Sequence, residues 1–241
     1  EKDKRAEKNV KDGLFNMFSA AKGWGLFSRE GTPVSKIIKR GRVSILDVSV
    51  YDNQNIKALV IGLLGRKLLK DRLLSRKMEE IQTIGSGYSY FSDLEEDKEQ
   101  VPFVWLMIDE AHEFLPKEGK VASSDALIQL LREGRQPGIS LVLATQQPGE
   151  IHTDVMTQSD IVVSHRVTAK KDIDALNSMM QSYLVNDIQR YLGELPRLKG
   201  SAIILDDNSE RIYPMRVRPK LSWHGGETPS AVKVRKLDLG L

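Results

Sequence analysis

The chain has 241 residues, with 36 Lys and Arg against 33 Asp and Glu, for a formal net charge of +3. That length suits one large domain or two small ones, and 40% apolar with 29% charged residues is globular composition rather than the profile of a disordered chain. No run of 18 apolar residues occurs, so no membrane span is expected, and the lack of any cysteine excludes disulfides, thiolate nucleophiles and cysteine-ligated zinc. Charge is uneven. From Arg211 onward seven basic residues face Glu227 and Asp238, a surplus of five, which a phosphate partner or plain solvent could meet.

Residues 1–12 hold nine charged side chains of mixed sign and read as an exposed helix end or a frayed terminus. Glycines and Pro33 scattered through 13–42 predict an irregular linker with short helical pieces, so 1–41 is set apart as an N-terminal segment. RVSILDVS, from Arg42, predicts a buried strand. From Asn53 to about Met78, apolar residues recur at helical spacing (Ile56, Leu59, Val60, Leu63, Leu64, Leu68). Residues 85–100 predict an acidic loop. VPFVWLMID, Val101 to Asp109, predicts a second buried strand that ends in a carboxylate. Ser124 is placed to cap a helix with Ala126, Leu127, Leu130 and Leu131 on one stripe, and Pro137-Gly138 ends it. ISLVLAT (139–145) predicts a third buried strand, followed by a short strand at 160–165 and helices near 170–182 and 186–192. SAIILD (201–206) and RIYPMRVR (211–218) predict a hairpin around Asp207-Asn208-Ser209. Strands alternating with helices imply an α/β fold with a mostly parallel sheet covered by helices on both faces.

The stretch with most chemical content is VWLMIDEAHEF. It sets Asp109 and Glu110 at the C-terminal tip of an inner strand, where open α/β sheets bind ligands. In nucleotide hydrolases such a pair divides the work: one acid holds Mg²⁺, often through water, and the other orients the attacking water. An acidic strand-to-loop junction without a role is the plain alternative for this feature taken alone. About 35 residues on, another strand ends in Thr145-Gln146, a second polar tip. Between them, LLREGRQPG places Arg132 and Arg135 on one helix face if the helix continues. Cations at a helix C-terminus are the ordinary explanation; a guanidinium fork set against phosphate charge is the functional one, and Gly134 makes Arg135 the freer of the two.

In their order, VWLMIDEAHEFLP, LIQLLREGRQPGISLVLATQQP and DIVVSHRV resemble the HerA/FtsK branch of RecA-like motors, and the ending RVRPKLSWHGGE resembles the HerA type. The resemblance covers roughly residues 42–228. It implies a RecA-like P-loop NTPase core over 42–218 and a basic tail over 219–241. It also implies a Walker B pair in Asp109 and Glu110, with Asp109 holding Mg²⁺ through water, a sensor in Gln146 beside Thr145, and a trans-acting arginine finger in Arg135 with Arg132 nearby. RVSILDVS becomes the core strand before Walker B. His224, Gly225 and Gly226 would brace a neighbouring subunit near its nucleotide, with a flexible turn as the plain alternative. The activity implied is ATP-driven translocation on duplex DNA by a hexameric, cytoplasmic helicase that works with a NurA-type nuclease in DNA end resection.

One departure is large. A P-loop needs G-x-x-x-x-G-K-[ST], and the only Gly-Lys pair, Gly119-Lys120, is followed by Val121 and has Phe114 at the first glycine position. In the family that loop lies upstream, and the chain begins with Glu1 rather than Met. The expectation is therefore a C-terminal piece of a longer ATPase, inactive alone. The rival is a degenerate RecA-like module that only oligomerises or docks a partner. Asp109 to His112 also spells the DEAH of another helicase superfamily, but there the arginine motif follows in a separate downstream domain. Lys117 and Lys120 after the acidic tip, and His152 within 147–160, lie in loops that could face DNA, although solvated loop residues explain the lysines better. The four histidines lack metal-like spacing.

Overall fold

The computed structural model describes residues 2–86, 101–178 and 185–222. The predicted acidic loop, for residues 87–100, and the brace residues His224, Gly225 and Gly226 lie outside them. The described residues fall into two units, one within Glu1–Ser159 and Thr168–Gln181, the other within Asp160–Val167 and Ser182–Leu241. No described helix is long and apolar enough to cross a membrane.

In the first unit, helix α1 (Lys2–Gly23) runs through the stretch expected to become irregular at Gly13. A single helical glycine costs only about 1 kcal/mol, and the Leu, Met, Ala and Lys residues after it favour helix. A four-residue turn, α2 (Val34–Ile37), buries Val34. The strand expected over 42–49 does not form: the segment has no regular secondary structure, pairs with no strand among the described residues, and exposes Val43 (92%) and Ile45 (89%). Apolar, β-branched residues favour a pleated surface only once a neighbouring strand supplies the ladder.

Helix α3 (Gln54–Ser86) is longer than its apolar spacing suggested. It starts where the Asn53 side chain accepts a hydrogen bond from the Asn55 amide at 2.8 Å. Ala58, Leu68 and Leu69 are its buried stripe, and α4 (Ser124–Glu133) lays Ala126, Leu127 and Leu130 against it. Gly62 permits the approach, because a side chain there would meet the Ala122 carbonyl oxygen at 2.6 Å. Ser123 rather than Ser124 stands at the cap position of α4; its hydroxyl donates to the Phe114 carbonyl at 2.8 Å and accepts from no helix amide.

Strands β1 (Val104–Ile108) and β2 (Ile139–Leu143) pair in parallel, Val104 opposite Ile139 and Ile108 opposite Leu143. Their alternation differs from the two-sided burial expected. Ile108 and Ile139 face the core, whereas Phe103, Trp105 and Met107 are each about two-thirds exposed. Nothing among the described residues covers that side, so the run shows period-2 burial.

A buried arginine joins the helix layer to both strands. Arg72 of α3 is fully buried; its Nε donates to the Pro137 carbonyl at 2.7 Å, and one terminal nitrogen donates to the Val101 carbonyl and to Glu79 at 3.0 Å. The guanidinium lies 4.9 Å from the Phe103 ring centre. Pro137 and Val101 precede β2 and β1, so this one fork fixes where both strands enter the sheet.

The second unit holds an antiparallel sheet in the order β3-β4-β5: β3 (Ile161–His165), β4 (Ser201–Asp206) and β5 (Arg211–Arg216). The hairpin expected from the sequence is present, with Asp206 accepting from the Ser209 hydroxyl at 2.8 Å in its turn and thereby held below the usual carboxylate pKa. Central β4 is nearly continuous in burial, and the helix over Val185–Glu194 sets Ile188 and Leu192 on it. Pro214 is tolerated because β5 is an edge strand. The fold class is α/β, with the parallel ladder carried by β1 and β2 and the antiparallel ladders by this second sheet.

Candidate active site at the tips of β1 and β2

Parallel pairing at this register carries both polar tips to the same end. The ladder runs one step past the strands: the Ala144 amide donates to the Ile108 carbonyl at 2.9 Å, and the Ala111 amide donates to the Ala144 carbonyl at 2.9 Å. Glu110 takes the left-handed conformation (φ 48°, ψ 44°), uncommon for a residue with a side chain. The sharp turn throws residues 111–113 into one 3₁₀ turn that folds His112 back over the strand ends.

The side chains meet there. Gln146 Nε2 donates to Glu110 Oε1 at 2.6 Å. His112 Nδ1 stands 2.9 Å from Thr145 Oγ1 and 3.6 Å from Glu110 Oε2. Thr145 Oγ1 also accepts from the Gln147 amide at 3.0 Å, and Asp109 Oδ1 accepts from the Glu110 amide at 2.9 Å. Asp109, Glu110, Thr145 and Gln146, chosen from the sequence as one constellation, therefore lie together. Chemically, the cluster offers an exposed carboxylate for a hydrated cation and a second carboxylate, 36% exposed, whose orientation is set by an amide. No group of three His, Asp or Glu among the described residues could cage a metal. Magnesium does not need one, since it keeps several waters and takes one or two carboxylates plus phosphate oxygens. Asp109 fits that demand.

The arginines are placed differently from each other. Helix α4 stops at Glu133, and residues 134–138 form turns, so the shared helical face expected for Arg132 and Arg135 does not exist. Only glycine fits at this C-cap: a side chain on Gly134 would press on the Leu130 and Ile139 carbonyls at 2.4 and 2.9 Å. Arg132 is held by Asp154 through Nε at 2.8 Å and a terminal nitrogen at 2.6 Å. Arg135 is exposed on the turn, and no described residue pairs with its side chain.

The loop candidates come side by side. Pro116 and Ile151 form an antiparallel bridge, flanked by the Lys117 amide donating to Glu150 and the His152 amide donating to Leu115, both at 2.8 Å. Lys117 is exposed, Lys120 pairs with Asp125 at 3.0 Å, and His152 accepts from the Asp154 amide at 3.2 Å to cap helix α5 (Thr153–Thr157). Glu150 also accepts from Lys171 at 2.8 Å, which draws its pKa down and raises that of the lysine.

Sequence reasoning did not find His112 as a member of the cluster, nor Asp154 as the partner of Arg132. The spacing of His112, two residues past Glu110, was a usable signal only once the left-handed turn was known.

The chain is similar to several known proteins. The family model described as zonular occludens toxin (Zot) matches residues 102–175, the stretch that carries the cluster. The DNA double-strand break repair helicase HerA of Pyrococcus furiosus is 25% identical over 79% of this chain and 37% of its own length. The DNA translocase FtsK 2 of Neisseria meningitidis is 27% identical over 40% of this chain and 10% of its own. Among solved structures, the DNA-packaging ATPase B204 of Sulfolobus turreted icosahedral virus aligns with a TM-score of 0.46 at 17% identity, over 81% of this chain and 76% of that one. The chain spans about a third of the length of the first HerA relatives it matches. By sequence, the chain is similar to HerA/FtsK-type ATPases.

Proposed function

We propose that these residues form the metal, water and trans-acting parts of an ATP-hydrolysing site in a HerA-type DNA translocase. Asp109 would hold Mg²⁺ through water, the metal neutralising phosphate charge when bound. Glu110 aligns and deprotonates the attacking water, and Gln146 reports the state of the nucleotide to β2. Arg135 acts on a neighbouring subunit's nucleotide, which requires a ring, here a hexamer. The sequence holds no P-loop run, so these residues form no phosphate cradle of that kind. Duplex DNA is the substrate in this reading, with Lys117, Lys120 and His152 on the loops nearest it. A NurA-type nuclease is the partner in end resection, and the cytoplasm is the compartment.

The observation that carries the proposal is the 2.6 Å contact between Glu110 and Gln146 across two parallel strand ends. An acid meant only for a surface junction has no use for a neighbouring strand's amide. Glu110→Gln, in the protein as its gene encodes it, is expected to bind ATP normally and to lose turnover by a hundredfold or more, on the order of the loss when a group acting in the transition state is removed. Near-normal ATPase in that variant would overturn the assignment.

A further inference from the structure

His112 is a group that the site as proposed does not use. It is mostly buried, with 16% of its side chain exposed, and its ring lies within 4 Å of both a Thr145 and a Glu110 side-chain oxygen. Its Nδ1 faces two oxygens at once, Thr145 Oγ1 at 2.9 Å and Glu110 Oε2 at 3.6 Å. Electrostatics settles which tautomer fits. If Nδ1 were the bare nitrogen, its lone pair would point toward a carboxylate, an arrangement that is repulsive at this range. With the proton on Nδ1, the ring donates to Thr145 and presents positive charge density to Glu110. Thr145 then accepts twice, from His112 and from the Gln147 amide, and its own hydroxyl proton stays free for another acceptor.

The consequence for Glu110 is geometric. One carboxylate oxygen is taken by Gln146 and the other faces His112, so the plane of the carboxylate is fixed from two sides by groups tied to the tip of β2. The left-handed turn at Glu110 is what permits this, because it folds the ring back over the strands. We infer that His112 is a positioning residue for Glu110: through its Nδ1–H it ties the carboxylate's orientation to Thr145, so that movement of the β2 tip turns the acid toward or away from its water. The inference rests on the reading of Glu110 given above and adds to it a coupling path through a side chain that touches neither metal nor nucleotide.

The test compares His112→Asn with His112→Leu and His112→Gln in the protein as its gene encodes it. Steady-state ATPase is measured alongside binding of a fluorescent ATP analogue. The asparagine amide nitrogen occupies the place of Nδ1, the glutamine amide nitrogen that of Nε2, and leucine offers neither. His112→Leu is expected to lower kcat about ten- to a hundredfold, the scale of a small misplacement of a reacting group, with KM and analogue affinity within about twofold. Asn should restore most of kcat and Gln should not. Thr145→Val should match His112→Leu, and the double variant should be no worse than either single one, because both cut the same path. If Leu fails to fold, the Asn and Gln pair decides alone: equal turnover in the two overturns the inference. Equal loss in Asn and Leu, or additive losses with Thr145→Val, overturns it as well. These results are separable from failure of the underlying reading, which is seen only when Glu110→Gln retains turnover.

Discussion

Removing the Arg72 fork should unsettle the entry of both parallel strands. In Arg72→Ala the carbonyls of Pro137 and Val101, both in the buried layer, lose their donor. Each orphaned buried acceptor costs about 1–3 kcal/mol, and loss of the guanidinium over Phe103 with its aliphatic stem adds roughly another 1 kcal/mol. The ion pair with Glu79 adds little, since that carboxylate is 28% exposed and regains water. Their sum, about 3–7 kcal/mol, is an upper bound because the emptied site relaxes, and about 3–5 kcal/mol is expected, the range measured when one partner of a buried pair is deleted. At about 2–4 °C per kcal/mol for a chain of this size, the melting temperature should fall by roughly 6–20 °C. Arg72→Lys, which keeps the charge but not the fork, should lie between wild type and alanine. Thermal unfolding followed by circular dichroism reads the shift, with Arg76→Ala as the control, because Arg76 is 41% exposed and its pairs are screened. An alanine variant melting within about 2 °C of wild type would refute the reasoning, since 1 kcal/mol or less cannot accommodate two abandoned carbonyls.

Other outcomes follow from the same geometry. Gly62→Val should destabilise by about 1–3 kcal/mol in urea unfolding, because its Cβ would stand 2.6 Å from the Ala122 oxygen; an unchanged midpoint would mean that α3 and the loop before α4 separate freely. Arg135→Ala should abolish ATPase while leaving the assembly intact on size-exclusion chromatography. Mixed with subunits unable to bind nucleotide, it should regain turnover, and a mixture that stays inactive contradicts a trans role. Lys117→Ala should weaken DNA binding about equally on all sequences and reduce the slope of log affinity against log salt by about 1; an unchanged slope removes it from the DNA path.

Much of the site was legible because it depends on local pattern. The apolar runs before Asp109 and before Thr145 predict two strands, and the intervening helix forces a crossover, so parallel pairing and common tips follow. The hairpin of β4 and β5 was readable for the same reason. What stayed hidden depends on distant partners. RVSILDVS has a strand's composition but no neighbour to pair with among the described residues, and Trp105 and Met107 look like core in the sequence yet face outward. Arg72 sat among the lysines and arginines of α3 and reads as one more solvated cation. Only packing shows that its side chain points inward while that of Arg66 does not. His112 required the left-handed turn at Glu110, which no propensity predicts.

The most direct measurement is a structure of the protein as its gene encodes it, bound to Mg²⁺ and a non-hydrolysable ATP analogue. The account predicts the metal about 4 Å from the Asp109 carboxylate with one water between them, and a water on Glu110 in line with the terminal phosphate. Nucleotide and metal bound elsewhere, with the tips of β1 and β2 facing only solvent, would contradict it.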